Sequence, residues 1–521
     1  MTPVTRSARV LLIALAALAA CSPATVSPPD GGGPDASIDG GRDAAEPDAG
    51  AWEGWPACDP SATTQRLTFV HVNDLHANYT PEGVPAVSRW ARIRHFYERT
   101  RVESPYTIFT DGGDDCEKGS VAELLSAGRS TRELVVAMGF DVRVIGNHDF
   151  AWSFEETLAL SNDPHAVVLS GNHHVVGEAA ARWGAEEWHV IPVGCVRVGF
   201  VGLTSEPWDE RDRPISEPFY ASMTASYDYV AEARRILDAH VGEADVIVFV
   251  DHIGQSQDEA LARAVPEIDI VLSGHSHTFT PAPVSAGSAL VIQSGSFARY
   301  VVRLDVDVDL TSHEVTFSDY VAQTVGTEPP SAALEATVEA TMASYAPEAT
   351  TTIGTLEHSL DNPAVADLEA RAAVSVHGAD AALLDVDTVW SVLFAGALTP
   401  QRCVDAFEVE RERPGTPGFN SLFRVTVSGE VLGAIAALAE AQPERWRFVG
   451  PSAITPTGTY DLVLQKRAAF HPDEELGAGI VLSTTPEPLE EAWETLDAFA
   501  RARTAACLHV DTDTALPGCA P

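Results

Sequence analysis

The chain has 521 residues, 45% of them hydrophobic, which is enough for a sizeable core and indicates two or more domains. Its 33 Lys and Arg residues are outnumbered by 75 Asp and Glu residues, so the formal net charge is −42. Nucleic-acid backbones are bound by clustered Lys and Arg, so no nucleic-acid polymer is expected as a partner. An anionic small molecule would have to be held by local groups.

The first 21 residues have the pattern of an export signal. Arg6 and Arg9 precede an apolar run that is too short to span a membrane, and this run ends at Cys21. The ending Leu-Ala-Ala-Cys is similar to the lipobox of bacterial lipoproteins, which implies that Cys21 is lipidated and becomes the mature N-terminus. Ordinary secretory cleavage nearby is the alternative. The protein is therefore expected to be exported, either anchored to the bacterial outer membrane or cell surface, or periplasmic.

Residues 22–61 are rich in Pro, Gly, Ala and Asp and predict a disordered tether. Strands and helices then alternate through residues 62–327, a connector helix follows within 328–351, and a further α/β pattern fills 352–521. The predicted helices include Ala86–Glu98, Thr131–Met138, Tyr227–His240, Ala332–Ser344 and Val431–Ala439. The predicted fold class is α/β.

Five predicted strands each run into Asp, Asn or His residues. They are Arg66–Val72 before Asp74 and His76, Tyr106–Thr110 before Asp114, Val142–Ile145 before Asn147 and His148, Asp245–Val250 before His252, and Ile268–Ser273 before His275 and His277. In α/β sheets, ligands bind beyond the carboxyl ends of the strands. His275 and His277 are one residue apart, so both rings can point to the same side of an extended chain. Core packing does not explain five such endings, and they predict a functional site.

A family resemblance is carried by five blocks in this order: DLH, GD, GNHD, DH and GHSH. They resemble the calcineurin-like metallophosphoesterases, and more narrowly the secreted bacterial 5′-nucleotidases and UDP-sugar hydrolases. The resemblance implies an N-terminal αββα sandwich over 62–327 and a 5′-nucleotidase-type substrate domain over 352–521. It also implies two divalent metal ions (Zn, Mn or Fe) that clamp the oxygens of a phosphate ester and activate a water. One ion would be held by Asp74, His76, Asp114 and His277, and the other by Asp114, Asn147, His252 and His275, with Asp114 bridging.

The resemblance gives His148 a different task, as the catalytic residue that stabilises the transition state or protonates the leaving oxygen. The family usually has an Asp three residues later to orient this His, and here that position is Ala151. An unoriented imidazole is a poorer acid. Asp149 is a possible substitute, although its neighbouring position points it elsewhere. The loop Asp114–Ser120 is also one residue longer than usual before its Gly.

The resemblance weakens in the C-terminal part. Family members carry an Asn-x-Gly-Gly-Ile-Arg block whose Arg grips the substrate phosphate, and here the corresponding stretch ends in Trp390, so this bidentate clamp is absent. Phe419 and Asn420 are similar to a family block near the base-binding site, which implies substrate binding; ordinary packing is the alternative for Phe419. Arg411 and Arg413 either replace the clamp or are solvated.

The cysteines permit disulfides in an exported protein. Removing Cys21 from the seven leaves an even number, and only the pair Cys507–Cys519 is indicated by proximity. Cys116, two residues after Asp114, is predicted to be a disulfide partner or a buried thiol rather than a metal ligand.

Three functions remain open. The first is a dinuclear metal phosphohydrolase acting in the breakdown of 5′-nucleotides or related nucleotides. The second is a metallophosphatase for a non-nucleotide phosphomonoester or diester, and the third is a catalytically decayed surface binding protein. The complete ligand set disfavours the third, while the missing Arg weakens the first against the second. We expect a monomer whose partner is a small-molecule phosphate ester and whose only membrane attachment is a lipid anchor.

Overall fold

A computed structural model gives the structure of this chain and describes residues 54–83, 85–207, 214–407, 409 and 417–519. The predicted signal segment with Cys21, the predicted tether up to residue 53, and Arg411 and Arg413 lie outside these residues. Among the helices that are described, none has both the length and the apolar character needed to cross a bilayer.

Two six-stranded sheets form the centre of residues 64–324. Their strands and a small separate pair, in chain order, are β1 (Thr64–Val72), β2 (Thr107–Asp111), β3 (Val142–Val144), β4 (Val167–Leu169), β5 (His173–Val175), β6 (His189–Val193), β7 (Val196–Val201), β8 (Met223–Ala225), β9 (Val246–Asp251), β10 (Ile270–Ser273), β11 (Val284–Ala286), β12 (Ala289–Gln293), β13 (Tyr300–Asp309) and β14 (Val315–Thr324). The first sheet has the order β14-β13-β1-β2-β3-β4 and the second β11-β12-β10-β9-β7-β6, while β5 pairs with β8. Strands β1 to β4 are parallel, and so are β7, β9, β10 and β12. The carboxyl ends within each parallel set therefore lie at one edge.

The two sheets pack face to face around an apolar core. Alternate residues of a strand point to opposite faces of its sheet. In β1, Leu67 and Phe69 enter the core between the sheets, where Val198 of the second sheet also lies. Val70 and Val72 instead enter the core on the outer side of the first sheet. From Leu67 to Val72, β1 is therefore buried on both of its faces.

Helices cover the outer faces of both sheets. They are α1 (Arg89–Glu103), α2 (Val121–Ser126), α3 (Arg129–Met138), α4 (Phe154–Leu160), α5 (Tyr229–Ala239), α6 (Gln255–Ala264) and α7 (Ala332–Tyr345). Buried residues of α1, α3 and α7 pack against the first sheet, and those of α5 and α6 against the second. This arrangement confirms the predicted αββα sandwich. Helix α1 continues beyond its predicted end at Glu98 because Thr100 is also buried on its inner face.

The C-terminal region adds a second α/β unit. Its strands are β15 (Gly354–Leu356), β16 (Ala381–Asp385), β17 (Gly396–Leu398), β18 (Ser421–Ser428), β19 (Trp446–Val449), β20 (Thr459–Gln465) and β21 (Glu487–Glu491), and its helices are α8 (Asn362–His377), α9 (Pro400–Asp405), α10 (Gly429–Ala441), α11 (Lys466–Phe470), α12 (Pro472–Glu475) and α13 (Ala492–Ala505). The main sheet has the order β19-β16-β20-β18-β21. In β16, Ala382 and Leu384 join the core of α8 and α13, whereas Ala381 and Leu383 join that of α10.

The sandwich and the C-terminal region share one apolar core. A single contiguous cluster of buried side chains extends from Val70 on β1 and Leu334 on α7 to Leu368 on α8 and Leu496 on α13. The described residues accordingly form one compact unit. We call this cluster the shared core.

The disulfides fit the predictions where these were made. The predicted Cys507–Cys519 bond is present, and a second bond, Cys58–Cys195, ties the chain ahead of β1 to the turn between β6 and β7. Cys116 is free and buried, so it is the buried thiol of the two predicted alternatives. Burial raises the pKa of the Cys116 thiol well above its usual range, as expected for an unreactive side chain.

Candidate metal centre

The candidate metal centre lies beyond the carboxyl ends of strands from both sheets. The loops after β1, β2, β3, β9 and β10 converge there. Their backbone is sharply turned, since Asp74, His76, Asp114, His275 and His277 all have positive φ angles, between 46° and 75°. A non-glycine residue in this region costs on the order of 1–3 kcal/mol and is kept only where the surroundings over-determine it. The fold therefore stores strain in these five residues.

Two glycines allow these loops to approach each other. A Cβ atom at Gly146 would overlap the carboxylate of Asp114, and one at Gly274 would overlap the carbonyl oxygen of Gly112. The glycines of the GNHD and GHSH blocks are thus required by space.

The first ligand group consists of Asp74, His76 and His277. Nε2 of His277 lies 3.2 Å from Oδ1 of Asp74 and 3.1 Å from Nε2 of His76. The other oxygen of Asp74, Oδ2, accepts hydrogen bonds from the backbone N–H of His275 and from the amide of Asn73. Oδ1 is therefore left facing the two imidazoles.

The second ligand group consists of Asp114, His252 and His275, with Asn147 beside them. Oδ2 of Asp114 lies 3.0 Å from Nε2 of His252, and Oδ1 of Asn147 lies 2.9 Å from Nδ1 of His275. Oδ2 of Asp114 is also 3.9 Å from Nε2 of His76, in the first group. Asp114 thus faces both groups. The structure brings together all seven side chains that the resemblance implied as ligands.

The chemistry of these groups fits divalent cations. Oδ1 of Asp74 and Nε2 of His252 are buried and make no well-formed hydrogen bond within the described part of the chain. Burial lowers the pKa of His252, but the Asp114 carboxylate outweighs it and raises this pKa to about 10. Burial also lowers the pKa of His275, to about 3, so that ring is neutral, as a metal ligand must be. The site concentrates negative charge and nitrogen lone pairs at one point, and mixed O and N donors suit Zn, Mn or Fe.

Backbone carbonyls fix the orientation of two of the imidazoles. Nδ1 of His76 donates to the carbonyl oxygen of Cys116 (3.0 Å), and Nδ1 of His252 donates to that of Gly112 (2.6 Å). A carbonyl oxygen can only accept, so Nδ1 carries the hydrogen in both rings. In both rings Nε2 is then the nitrogen that faces the site, and it would give up any proton on binding a cation, the usual arrangement around metal-bound histidines.

Asp149 supports the loops from beneath the site. Its buried carboxylate accepts hydrogen bonds from the backbone N–H groups of Asp114, Asp115, Cys116 and Gly146, at 2.8–3.1 Å. Both of its oxygens are engaged in this way. Asp149 therefore holds the GD and GNHD loops together, and the possibility that it orients His148 is wrong.

His148 meets a different acid. Nδ1 of His148 lies 2.7 Å from Oε2 of Glu117, whose side chain is completely buried. The ring of His148 stands edge-on to that of His76, with 5.1 Å between the ring centres. His148 therefore lies directly beside the first ligand group. Sequence reasoning missed Glu117. The available signal was an acidic residue in the lengthened loop after Asp114, together with the missing Asp at position 151.

Trp390 stands next to the first ligand group. Its ring packs edge-on against Phe297, whose own ring lies 5.3 Å from that of His76 and 5.1 Å from that of His277. Nζ of Lys118 lies 5.4 Å from the centre of the Trp390 ring. Trp390 is 39% exposed. An aromatic surface thus borders the centre, contributed partly by the C-terminal region.

Phe419 and Asn420 lie in different surroundings. Phe419 is half-buried and lines a cavity of about 120 Å³ together with Asp385, Arg445, Gln465 and other residues of the C-terminal region. Asn420 is fully buried, and its side chain bonds to Gln465 and to the carbonyl oxygen of Thr388. Phe419 remains a predicted substrate contact. The contacts of Asn420 are those of a residue that braces the cavity wall.

Fold and site together define a two-part α/β protein with paired ligand groups at the edge of an αββα sandwich. Residues 67–279 match the family model of the calcineurin-like phosphoesterases. The chain therefore contains a calcineurin-like metallophosphoesterase domain, which confirms the resemblance given by the five blocks.

Individual relatives agree with this assignment. An uncharacterized metallophosphoesterase of Bacillus subtilis, YunD, is 24% identical over 257 residues, which are 48% of this chain and 52% of that protein. The 5′-nucleotidase of Bos taurus is 25% identical over 293 residues, which are 50% of this chain and 49% of that protein. The chain spans about half the length of these curated relatives.

A solved structure extends the likeness in fold to both regions. The 5′-nucleotidase precursor of Thermus thermophilus superposes with a TM-score of 0.62 at 17% identity, covering 84% of this chain and 96% of that one. The shared fold includes the C-terminal region, which the family model does not reach.

Proposed function

We propose that this protein is an exported phosphohydrolase that holds two divalent metal ions and cleaves phosphate esters, with 5′-nucleotides or related nucleotides as its main substrates. The observation that carries the proposal is the position of Asp114 between two groups of ligands, one with His76 and one with His252. Buried carboxylates and imidazoles in this density are costly unless a cation compensates them. The relatives named as 5′-nucleotidases support the choice of substrate.

Each residue has a separate task in this proposal. Two bound ions would supply the positive charge and the activated water that phosphate ester hydrolysis requires. Asp114 would hold both ions, because its Oδ1 is tied to the backbone N–H of His148 and its Oδ2 faces the two groups. His148 is engaged through Nδ1, so its Nε2 would give a proton to the leaving oxygen.

A second candidate is an ester other than a nucleotide. It is favoured by Trp390, which stands beside Phe297 at the border of the site and cannot form the bidentate contact of an Arg to a phosphate. Export belongs to the proposal as well, with lipidation of Cys21 or simple cleavage as its two forms. The region 352–521 would act as the substrate domain.

A phosphate-release screen tests the proposal. The purified protein is loaded with Mn²⁺, Zn²⁺ or Fe²⁺ and given AMP, a UDP-sugar, an aryl phosphate monoester and an aryl phosphate diester. We expect metal-dependent release, and two metal ions per chain by elemental analysis. Release from the aryl monoester or diester but from neither nucleotide would select the second candidate. No release from any ester, with two ions bound, would indicate the decayed binding protein.

A further inference from the structure

We propose that Glu117 is a positioning residue for His148, replacing an acid that would otherwise follow at position 151. This inference rests on the proposed function, because it concerns the proton that His148 gives to the leaving group. It begins from one contact, the 2.7 Å separation between Oε2 of Glu117 and Nδ1 of His148. The Glu117 side chain is completely buried, and that of His148 is 13% exposed.

The loop that carries Glu117 is built to present it. Glu117 and Lys118 have φ angles of 66° and 71°, which turns the chain sharply between Cys116 and Gly119. The backbone N–H of Glu117 donates to Oε1 of Glu123 on α2 (2.7 Å). Two consecutive left-handed residues are an expensive conformation. Their presence directly beside the candidate centre indicates that this loop holds one arrangement.

Two further contacts anchor the same loop. Nε1 of Trp152 donates to Oε1 of Glu123 (2.9 Å), so the acceptor of the Glu117 N–H is itself held. From the C-terminal region, Nε2 of Gln401 donates to the carbonyl oxygen of Gly119 (2.7 Å) and its Oε1 accepts from the N–H of Val121 (3.1 Å). The loop is therefore held at Glu117 itself and at two positions that follow it. A buried acid held this firmly restricts the rotation of the imidazole that it contacts.

Neighbouring residues do not supply this contact. Asp149 uses both carboxylate oxygens on backbone N–H groups, and Ala151 has no polar side chain. Glu117 precedes His148 by 31 positions, whereas position 151 follows it. The extra residue in the Asp114–Ser120 loop thus makes up for the acid missing at 151.

The chemical consequence is a fixed proton donor. With the Nδ1 hydrogen held by Glu117, Nε2 is the nitrogen that would donate to a substrate. As water attacks phosphorus and forms the new P–O bond, the old ester P–O bond breaks and its electron pair goes to the leaving oxygen. Nε2 of His148 gives its proton to that oxygen, the attacking water releases a proton to solvent, and solvent returns a proton to the ring. A leaving group that is stable as an anion does not need this proton.

This distinction gives the test. Wild type, Glu117→Gln, Glu117→Ala and the double variant Glu117→Ala/Ala151→Asp are assayed with Mn²⁺ on AMP and on 4-nitrophenyl phosphate. We expect Glu117→Gln and Glu117→Ala to lower kcat on AMP by at least about tenfold, part of the 10²–10⁴-fold that a positioned acid–base group supplies. On the nitrophenyl ester, kcat should change less than about threefold, because its leaving group departs without a proton. KM and the metal content should stay at wild-type values, and exposed Glu178→Gln is the matched control.

Rescue and a spectroscopic signature separate positioning from mere folding. The double variant should recover most of the lost kcat on AMP, since an Asp at 151 can orient the same ring. In the metal-free protein, a far-downfield proton resonance that is absent from His148→Ala should move upfield or vanish in Glu117→Gln. Equal losses on both esters, or an unchanged resonance, would overturn the role of Glu117 alone. A wild type that cleaves neither ester would instead overturn the proposed function, and this positioning role with it.

Discussion

The edge of the αββα sandwich has all of the site residues that the family resemblance implies, whereas the C-terminal region has only some of them. At the sandwich edge, all seven expected ligands are present, and backbone carbonyls and Asp149 hold their loops. In the C-terminal region, Phe419 lines the cavity, but the Arg of the family block is missing, and Trp390 stands at its position beside the first ligand group. Metal binding tolerates little change in geometry, whereas recognition of a leaving group can be rebuilt from other side chains. We therefore expect the chemistry to follow the family more closely than the specificity does.

The largest effect should come from the residue on which the sandwich edge depends most. Replacing Asp114 with Ala removes the one carboxylate that faces both ligand groups, so we expect hydrolysis to fall below detection and bound metal to fall below two ions per chain. Activity assays with elemental analysis measure this. Asp238→Ala, an exposed change on α5, is the control. Two ions retained in Asp114→Ala would show that the two groups do not share this ligand.

The next effect should appear in stability. Asp149→Ala leaves four buried backbone N–H groups without their acceptor. We expect it to lower the free energy of unfolding by at least roughly 3 kcal/mol, because each buried donor left without its acceptor costs about 1–3 kcal/mol. Chemical denaturation of metal-free protein measures the loss. Asp149→Asn retains one acceptor oxygen and should lose less, so equal losses in the two variants would contradict this account.

A third effect, on substrate preference, is expected at Trp390. A hydrogen bond to a charged group contributes about 1.5–3 kcal/mol, so Trp390→Arg should raise kcat/KM for AMP by roughly tenfold to a hundredfold relative to an aryl phosphate. Wild type should prefer AMP only slightly. Competition assays with both esters give the ratio, and Trp390→Phe should leave it nearly unchanged. A wild-type preference for AMP of about a thousandfold, or roughly 4 kcal/mol, would mean that other residues already form the clamp.

A smaller effect is expected at Phe419. Stacking of a base on an aromatic ring contributes about 1–3 kcal/mol. Phe419→Ala should therefore raise KM for nucleotides by about fivefold or more while leaving KM for a small alkyl phosphate unchanged. Equal increases for both substrates would assign Phe419 to ordinary packing.

The smallest effect on turnover should come from Cys21, which lies outside both regions. Cys21→Ser should release the protein from the membrane fraction with kcat and KM unchanged, because the predicted tether separates the lipid from the fold. Cell fractionation and metabolic lipid labelling measure this. A variant that stays in the membrane fraction, with no label on the wild type, would favour ordinary secretory cleavage.

The fold and the ligand set could be predicted because they depend on local signals. Each of the five strands is short and largely buried, and each runs into Asp, Asn or His residues, so strands and candidate ligands were recognisable together. The Glu117–His148 contact could not be found this way, since it depends on two left-handed residues in a loop and not on a periodic pattern. Asp149 was misleading for a related reason. Its position beside His148 did not reveal that four backbone N–H groups converge on its carboxylate.

The shared core limits how a protein of this kind can evolve new substrate specificity. Val70, Leu334, Leu368 and Leu496 belong to one buried cluster, so the catalytic and C-terminal regions should melt in a single calorimetric transition. A chain cut after α7 would divide this cluster, so we expect it to lose solubility as well as the proposed substrate domain. The C-terminal region cannot then be exchanged as a cassette between relatives. New substrates would have to be acquired by substitutions along the cavity and around Trp390, each limited by the stability margin of the whole chain.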